Sequence, residues 1–387
     1  MINIVIGLRL LNRSHKSMSM NSPKFFEKES DLPEGAKKVD AFRGCLEELF
    51  FVGNPKWKKG TPEALEPLSE FIKSNSDPGL WVYYPWSHVA VHMVREDLYF
   101  KLRTARNHNL ITSEEQDKYH QMKVGIAGLS VGSGIVSALV TSGGPKTIKI
   151  ADFDVIEASN LNRIRACLED LGSSKVQVAS RQIWELDPFA DVHIWDRGVT
   201  KDNLDDFLAG NPRLDVFIDE MDSLDLKISA RVICRENGIP VVMATDNGDT
   251  VILDVERFDL EPKRLFFHGL AGNLSPDDCK DMTREKWLRL STQIIGPDFM
   301  TPELQNSILQ IGTSLGGVPQ LGTTAGVAGA AASFVIRRIA NGYEMPSGRY
   351  IISLEKEIIS GYNDPENKAK REKQSEKFKE SLFSPKK

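Results

Sequence analysis

A glycine-rich turn, a carboxylate downstream of it and an arginine-bearing loop are the groups in this chain best suited to chemistry. The turn is Gly128-Leu-Ser130-Val-Gly132-Ser133-Gly134, directly behind the apolar run Lys123–Gly128. Such a turn lets backbone N–H groups and a helix N-terminus approach phosphate. It departs from G-x-G-x-x-G, because Ser130 and Ser133 stand at the second and third glycine places. Alone, it fits a ligand-free α/β turn as well. Asp152 ends the next apolar run, about 20 residues on, where a carboxylate accepts ribose hydroxyls in NAD and ATP sites alike. The segment Asp154-Val-Ile-Glu157-Ala-Ser159-Asn160-Leu-Asn162-Arg163 then follows. A dinucleotide has no use for it. A triphosphate does, since Arg163 can neutralise terminal phosphates and Asn160 offers neutral hydrogen bonds.

The elements around these residues alternate between two periods. Lys123–Gly128, Thr147–Asp152, Val192–Trp195, Leu214–Asp219 and Ile239–Ala244 read as strands, and 132–143, 173–187, 200–209 and 222–237 as helices. Strands alternating with helices of this length predict a doubly wound, mostly parallel α/β sheet, Rossmann-like, with ligand at the carboxyl ends of the strands. Further on, Val251–Val255 and Tyr350–Leu354 read as strands, and 284–293, 302–311 and Ala325–Ile339 as helices. Thr112-Ser-Glu-Glu115 is a capping box opening another helix.

The run Asp-x-Asp-x-Ile-x-x-Ser-Asn-Leu-Asn-Arg resembles the signature of the ThiF, MoeB and HesA family, adenylation domains related to ubiquitin-activating enzymes. The resemblance covers roughly residues 100–342. Gly172-Ser-Ser-Lys175 is similar to the family's Gly-x-x-Lys, Asp219-Glu-Met-Asp222 to its Asp-x-x-Asp, and Gly317-Val-Pro319 with the helix behind it to its closing segment. Arg103-Thr-Ala-Arg106-Asn resembles an Arg-x-x-Arg-Gln stretch, with Asn107 replacing Gln. The resemblance implies a Mg-ATP-dependent adenylyltransferase that activates a carboxylate and releases pyrophosphate. It implies a nucleotide held by Gly128, Ser130, Gly132, Asp152, Asp154, Asn160, Arg163 and Lys175, with Mg²⁺ on Asp222. Arg106 would reach the triphosphate from the second subunit of a homodimer. The implied partner is the C-terminus of a small ubiquitin-like or sulfur-carrier protein, or another carboxylate acceptor. Taken singly, Arg163 and Lys175 also fit surface charges, Asp154 a loop brace, and Asp222 a helix cap. A non-catalytic partner subunit of the same fold is the second reading, and an NAD-dependent oxidoreductase the third.

Composition bounds the rest. The chain has 387 residues, 41% hydrophobic and 27% charged, with net charge −5. That is the mix of a packed soluble protein, and its charge does not point to nucleic acid. The four cysteines, Cys45, Cys167, Cys234 and Cys279, show no C-x-x-C spacing, so no structural zinc is expected. Cys279 is the candidate for a thioester nucleophile, although Asp277 and Asp278 beside it oppose a thiolate. His88 and His92, four apart, lack a third ligand and read as packing residues. No run of 18 apolar residues suggests a membrane span, and a cytoplasmic setting is expected. The organisation read from the sequence is a disordered tail at 1–22, an N-terminal extension at 23–110 and an adenylation-type domain at 111–345. A strand segment at 346–363 and a charged disordered tail at 364–387 complete it. The extension is irregular and rich in Trp and Pro. Its Pro85-Trp86-Ser87 and Arg106-Asn-His-Asn-Leu-Ile-Thr112 resemble stretches of a bacterial ThiF-like subgroup.

Overall fold

The computed structural model describes residues 22–279 and 282–383, so nearly all of the expected N-terminal tail lies outside it. The chain divides into two compact units, with the boundary after Leu102 rather than at 110. The first unit is more regular than its composition predicts. It contains β1 (Lys24–Phe26), β2 (Lys37–Asp40), α1 (Phe42–Gly53), α2 (Pro62–Ser74), β3 (Leu80–Tyr84), β4 (Val89–Met93) and the start of α3 (Glu96–Thr104). The strands form one sheet in the order β1-β3-β4-β2. All five residues of β3, Leu-Trp-Val-Tyr-Tyr, are buried, so the strand shows no alternation to read from sequence. The histidines there are packing residues. His88 meets the Tyr83 hydroxyl at 2.7 Å and the Glu34 carbonyl at 3.2 Å. His92 meets Asp40 at 3.0 Å and the Pro78 carbonyl at 2.8 Å, and it stacks on Trp81 and Phe42.

The second unit opens with α4 (Ser113–His120), whose Thr112–Glu115 capping box forms as expected. It continues through β5 (Lys123–Ala127), α5 (Val131–Thr141), β6 (Thr147–Ala151), α6 (Lys175–Leu186), β7 (Asp191–Trp195), α7 (Leu204–Ala209), β8 (Val216–Asp219), α8 (Leu224–Glu236), β9 (Val241–Asn247) and β10 (Thr250–Glu256). Then follow α9 (Arg284–Ile295), α10 (Pro302–Gln310), α11 (Gly322–Ala340), β11 (Gly348–Ser353), α12 (Leu354–Ile358) and α13 (Pro365–Phe383). The sheet order is β11-β10-β9-β8-β5-β6-β7. β9-β8-β5-β6-β7 run parallel, while β10 and β11 are antiparallel additions. The expected doubly wound, mostly parallel sheet is therefore present. The order reverses at β5, so the turns after β5, β6 and β8 open on one crevice.

Small residues set the packing behind that crevice. A Cβ on Gly329 of α11 would lie 2.6 Å from the Gly134 carbonyl of α5, and one on Gly134 would lie 2.8 Å from the Ala325 carbonyl. Helix backbones this close exclude any side chain at those two positions. Among the described residues, no helix is long and apolar enough to cross a membrane.

The C-terminal segment corrects the expectation of a solvated tail. Residues 365–383 form α13, and its Phe378 and Leu382 are buried against Met300, Leu304 and Ile308 around α10. Ser375 donates to Asp298 at 3.0 Å, and Arg371 stacks on Tyr362 with its guanidinium 3.9 Å from the ring. Two apolar residues four apart on one helix face dock the segment because α10 supplies the opposing apolar surface. Composition averages over the faces and conceals that stripe.

A buried charge network ties β8 to β10. Arg231 of α8, fully buried, donates to Asp219 at 2.5 Å and to Glu256 at 2.6 Å, and lies 3.9 Å over the Phe267 ring. Lys227 adds a second cation to Asp219 at 3.1 Å, and the other Glu256 oxygen accepts from the Phe267 N–H. Removing the shared cation leaves two buried carboxylates short of their partner. Arg231→Met is therefore expected to lose about 3–5 kcal/mol in a denaturant titration. A loss under about 1 kcal/mol would show that the network does not hold the strands.

Candidate functional site

The turn after β5 is fixed by contact with the neighbouring strand end. Gly128 has φ +92, and a Cβ there would lie 2.2 Å from the Glu220 carbonyl. Only glycine fits. α5 begins at Val131, directly after the turn, so its first backbone N–H groups lack intrahelical partners.

Asp152 stands at the end of β6, 8% exposed, and organises this corner. It accepts from the Leu129 N–H at 2.7 Å and from the Asp154 N–H at 2.8 Å, joining the turn to the next loop. Burial pushes its carboxyl above the usual range, while the two backbone donors and Lys175 pull against that. Lys175, the first residue of α6 and itself buried, lies 2.8 Å from Asp154 and 3.9 Å from Asp152. Its backbone N–H also donates to the Asp154 carbonyl at 3.0 Å. Asp154 thus aims Lys175.

Arg163 is the second cation at the turn. Its Nε donates to the Ser130 hydroxyl at 2.8 Å, and its Nη1 to Asn162 Oδ1 at 3.0 Å and the Ser159 carbonyl at 3.2 Å. Ser130 in turn donates to Gln320 at 3.2 Å, and Asn162 to the Gln320 carbonyl at 2.9 Å. The serine that departs from the glycine pattern therefore anchors the arginine. Asn160 is buried, and its Oδ1 accepts from the Glu157 N–H at 3.0 Å, so that oxygen serves the loop. Asp222 is exposed one residue short of the α8 cap, which is Ser223. The helix-cap reading of Asp222 thus falls away. Its carboxylate reaches Arg163 electrostatically, as does Asp246, against the desolvation that lowers the guanidinium pKa. Gly128, Ser130, Gly132, Asp152, Asp154, Asn160, Arg163 and Lys175 share one turn-and-loop cluster, with Asp222 within electrostatic range of it.

Two expected residues stand differently. Arg106 is exposed in the 3₁₀ turn before α4, whereas Arg103 of the same motif pairs inward with Asp187 at 2.8 Å. Cys279 is buried in an apolar cluster with Leu224 and Ile228. Burial first, then Asp225 and Asp278, push its thiol up, which is the setting of a packed side chain rather than a nucleophile. Among the described residues, no group of three or more His, Cys, Asp or Glu is placed to hold a metal.

Asp246 and Gln320 were not singled out in the sequence. Asp246 lies at the carboxyl end of β9, 6% exposed, with both carboxylate oxygens buried and no hydrogen-bond partner. Its one sequence signal is a charge closing the run Val241-Val-Met-Ala-Thr. Burial pushes this carboxyl up to about 6, against the pull of Arg163. A folded pKa above the unfolded 3.8 gives stability that is full below the unfolded value and lost as pH rises through 6. Asp246→Asn removes that loss. The variant should be more stable than the wild type above about pH 7, by on the order of 3 kcal/mol, with the gap closing below about pH 4. Thermal denaturation across this range checks it, and a variant less stable at every pH would contradict it.

Comparison with known proteins follows the same residues. The ThiF family pattern matches residues 103–373. Uncharacterized protein MT1398 of Mycobacterium tuberculosis (strain CDC 1551 / Oshkosh) is 38% identical over 274 residues, 71% of this chain and 38% of that protein. The tRNA threonylcarbamoyladenosine dehydratase 1 of Saccharomyces cerevisiae is 26% identical over 65% of this chain and 60% of its own length. The SAMP-activating enzyme E1 of Haloferax volcanii is 32% identical over 31% of this chain and 42% of its own length. The chain thus spans less than two thirds of these curated relatives. Among solved structures, the E. coli tRNA N6-threonylcarbamoyladenosine dehydratase in complex with ATP aligns at 18% identity and TM-score 0.43, covering 62% of this chain and 95% of that one. Because the family pattern spans the glycine turn, the arginine loop, the β8 end and the closing helix, the chain belongs to the ThiF family.

Proposed function

We propose that this chain is a Mg-ATP-dependent adenylyltransferase that activates a carboxylate as an acyl-adenylate. The observation that carries the reading is the joint placement of Asp152, Lys175 and Arg163 around the Gly128 turn. Asp152 suits the ribose, and the two cations suit phosphate oxygens. The names of relatives such as the SAMP-activating enzyme E1 support an activated protein C-terminus among the acceptors.

In the reaction, an acceptor carboxylate oxygen bonds to the α-phosphorus. The bond from that phosphorus to the β-bridging oxygen breaks, and pyrophosphate leaves. Lys175, held by Asp154, and Arg163, held by Ser130, lie ready for the charge that builds on phosphate oxygens, so little reorganisation accompanies the step. Mg²⁺ would sit on Asp222, an exposed oxygen ligand of the kind this ion takes in small number beside phosphates and water, and would neutralise phosphate charge.

Pyrophosphate exchange into ATP, with a panel of carboxylate acceptors, tests the reading. Lys175→Ala and Asp222→Ala should each lose ~10²–10³-fold in exchange rate. ATP, and not NAD, should raise the melting temperature of the wild type. Tight ATP binding without exchange for any acceptor would favour a non-catalytic partner subunit.

The exposed Arg106 supports a site completed by a second copy of the chain. Mixing Arg106→Ala with Lys175→Ala, each inactive alone, should then restore roughly a quarter of the wild-type rate, because mixed dimers hold one intact site. No recovery on mixing would place Arg106 outside the reaction.

A further inference from the structure

Among the described residues, Asp246 is the only carboxylate with both oxygens buried and without a hydrogen-bond partner. Buried polar groups in folded proteins find partners almost without exception, so an orphaned carboxylate calls for a ligand or a role. Its position narrows the choice. β9 lies beyond β8 as seen from β5, whereas Asp152 closes β6 on the opposite side of β5. A nucleotide whose ribose sits on Asp152, whose phosphates cover the Gly128 turn and whose Mg²⁺ sits on Asp222 leaves the β9 strand end, beyond β8, to the other reactant. Glu220 faces the same strand end: burial first, and Asp246 among the lesser causes, push its carboxyl well above the usual range.

Arg163 is the opposite charge at this place. Asp246 and Arg163 act on one another electrostatically, yet among the described residues no ion pair of 4 Å or less joins them. A guanidinium and an unpartnered carboxylate within electrostatic range of one another suit a ligand that carries both signs. A metal ion on Asp246 would find no group of three His, Cys, Asp or Glu ligands among the described residues, which suits a nitrogen cation better.

We infer that Asp246 binds a cationic nitrogen on the acceptor, close to the carboxylate that becomes adenylated. The acceptor class is then an ammonium-bearing carboxylate, either a free amino acid or a peptide end with a lysine beside its terminal carboxylate. The inference rests on the adenylation reading and names its substrate. The ammonium stays protonated and takes no part in bond making. It positions the carboxylate, and it supplies the partner that Asp246 lacks.

Pyrophosphate exchange separates the outcomes. The acceptors are free amino acids against their N-acetyl derivatives, and short peptides ending in Gly-Gly with lysine third from the end against the same peptides with acetyl-lysine. Wild type should use the cationic form of one pair ~10- to 100-fold better than its acetylated form, and the responding pair identifies the source. Asp246→Asn and Asp246→Ser should erase that preference by raising the acceptor KM. They should keep the ATP-induced thermal shift, which also shows that they fold. Equal use of acetylated and cationic acceptors by the wild type overturns the inference whatever the variants do. A preference that survives in both variants overturns it as well, as does a changed Mg²⁺ requirement with acceptor preference intact. Exchange with neutral acceptors only leaves adenylation standing and removes this inference. No exchange with any acceptor removes both.

Discussion

Arg231 is a guanidinium with no access to solvent, and it joins two strands of the sheet through buried carboxylates. It bridges Asp219, the last residue of β8, and Glu256, the last residue of β10, across intervening β9. Glu256 holds the Phe267 N–H with its other oxygen, and Phe267 lies under the guanidinium. Charges taken this far from water are tolerated only with near-complete pairing. The pairing fixes where β8 ends, and therefore where Glu220 and Asp222 leave the sheet. Glu220 then sets the limit on the Gly128 turn, because its carbonyl occupies the place of a side chain there.

The site built on this frame is a cluster of opposite charges, each restrained by a neighbour. Asp154 holds Lys175, Ser130 holds Arg163, and two backbone N–H groups hold Asp152. Such groups lose little freedom when a charged ligand arrives, and that is what electrostatic catalysis requires. Asp246 breaks the pattern. It is charged at a cost, with no donor from the fold, and unpaired groups of that kind gather where a ligand completes them.

Much of the second unit was legible in the sequence. Strand and helix periods in 123–255 are regular, so the parallel sheet could be read directly, while the family resemblance pointed to Arg163, Lys175 and Asp222. The first unit was less legible because β3 is apolar throughout and alternates nowhere. α13 was misread because its charged residues outnumber Phe378 and Leu382, although those two share a face. Asp246 gave only a charge at a strand end. Whether such a charge meets water or a closed crevice depends on the strands beside it.

The sequence by itself determined the fold class, the family and which cations are proposed to face phosphate. These follow from local periodicity and from residues close in the chain, where spacing stands in for geometry. Only the tertiary structure decided that Ser130 anchors Arg163, that Cys279 packs in an apolar cluster, that the last helix docks, and that Asp246 stands unpartnered beside Arg163. Each of these is a relation between segments tens of residues apart. Burial and pairing across such distances are set by strand order and helix packing, which no local pattern encodes.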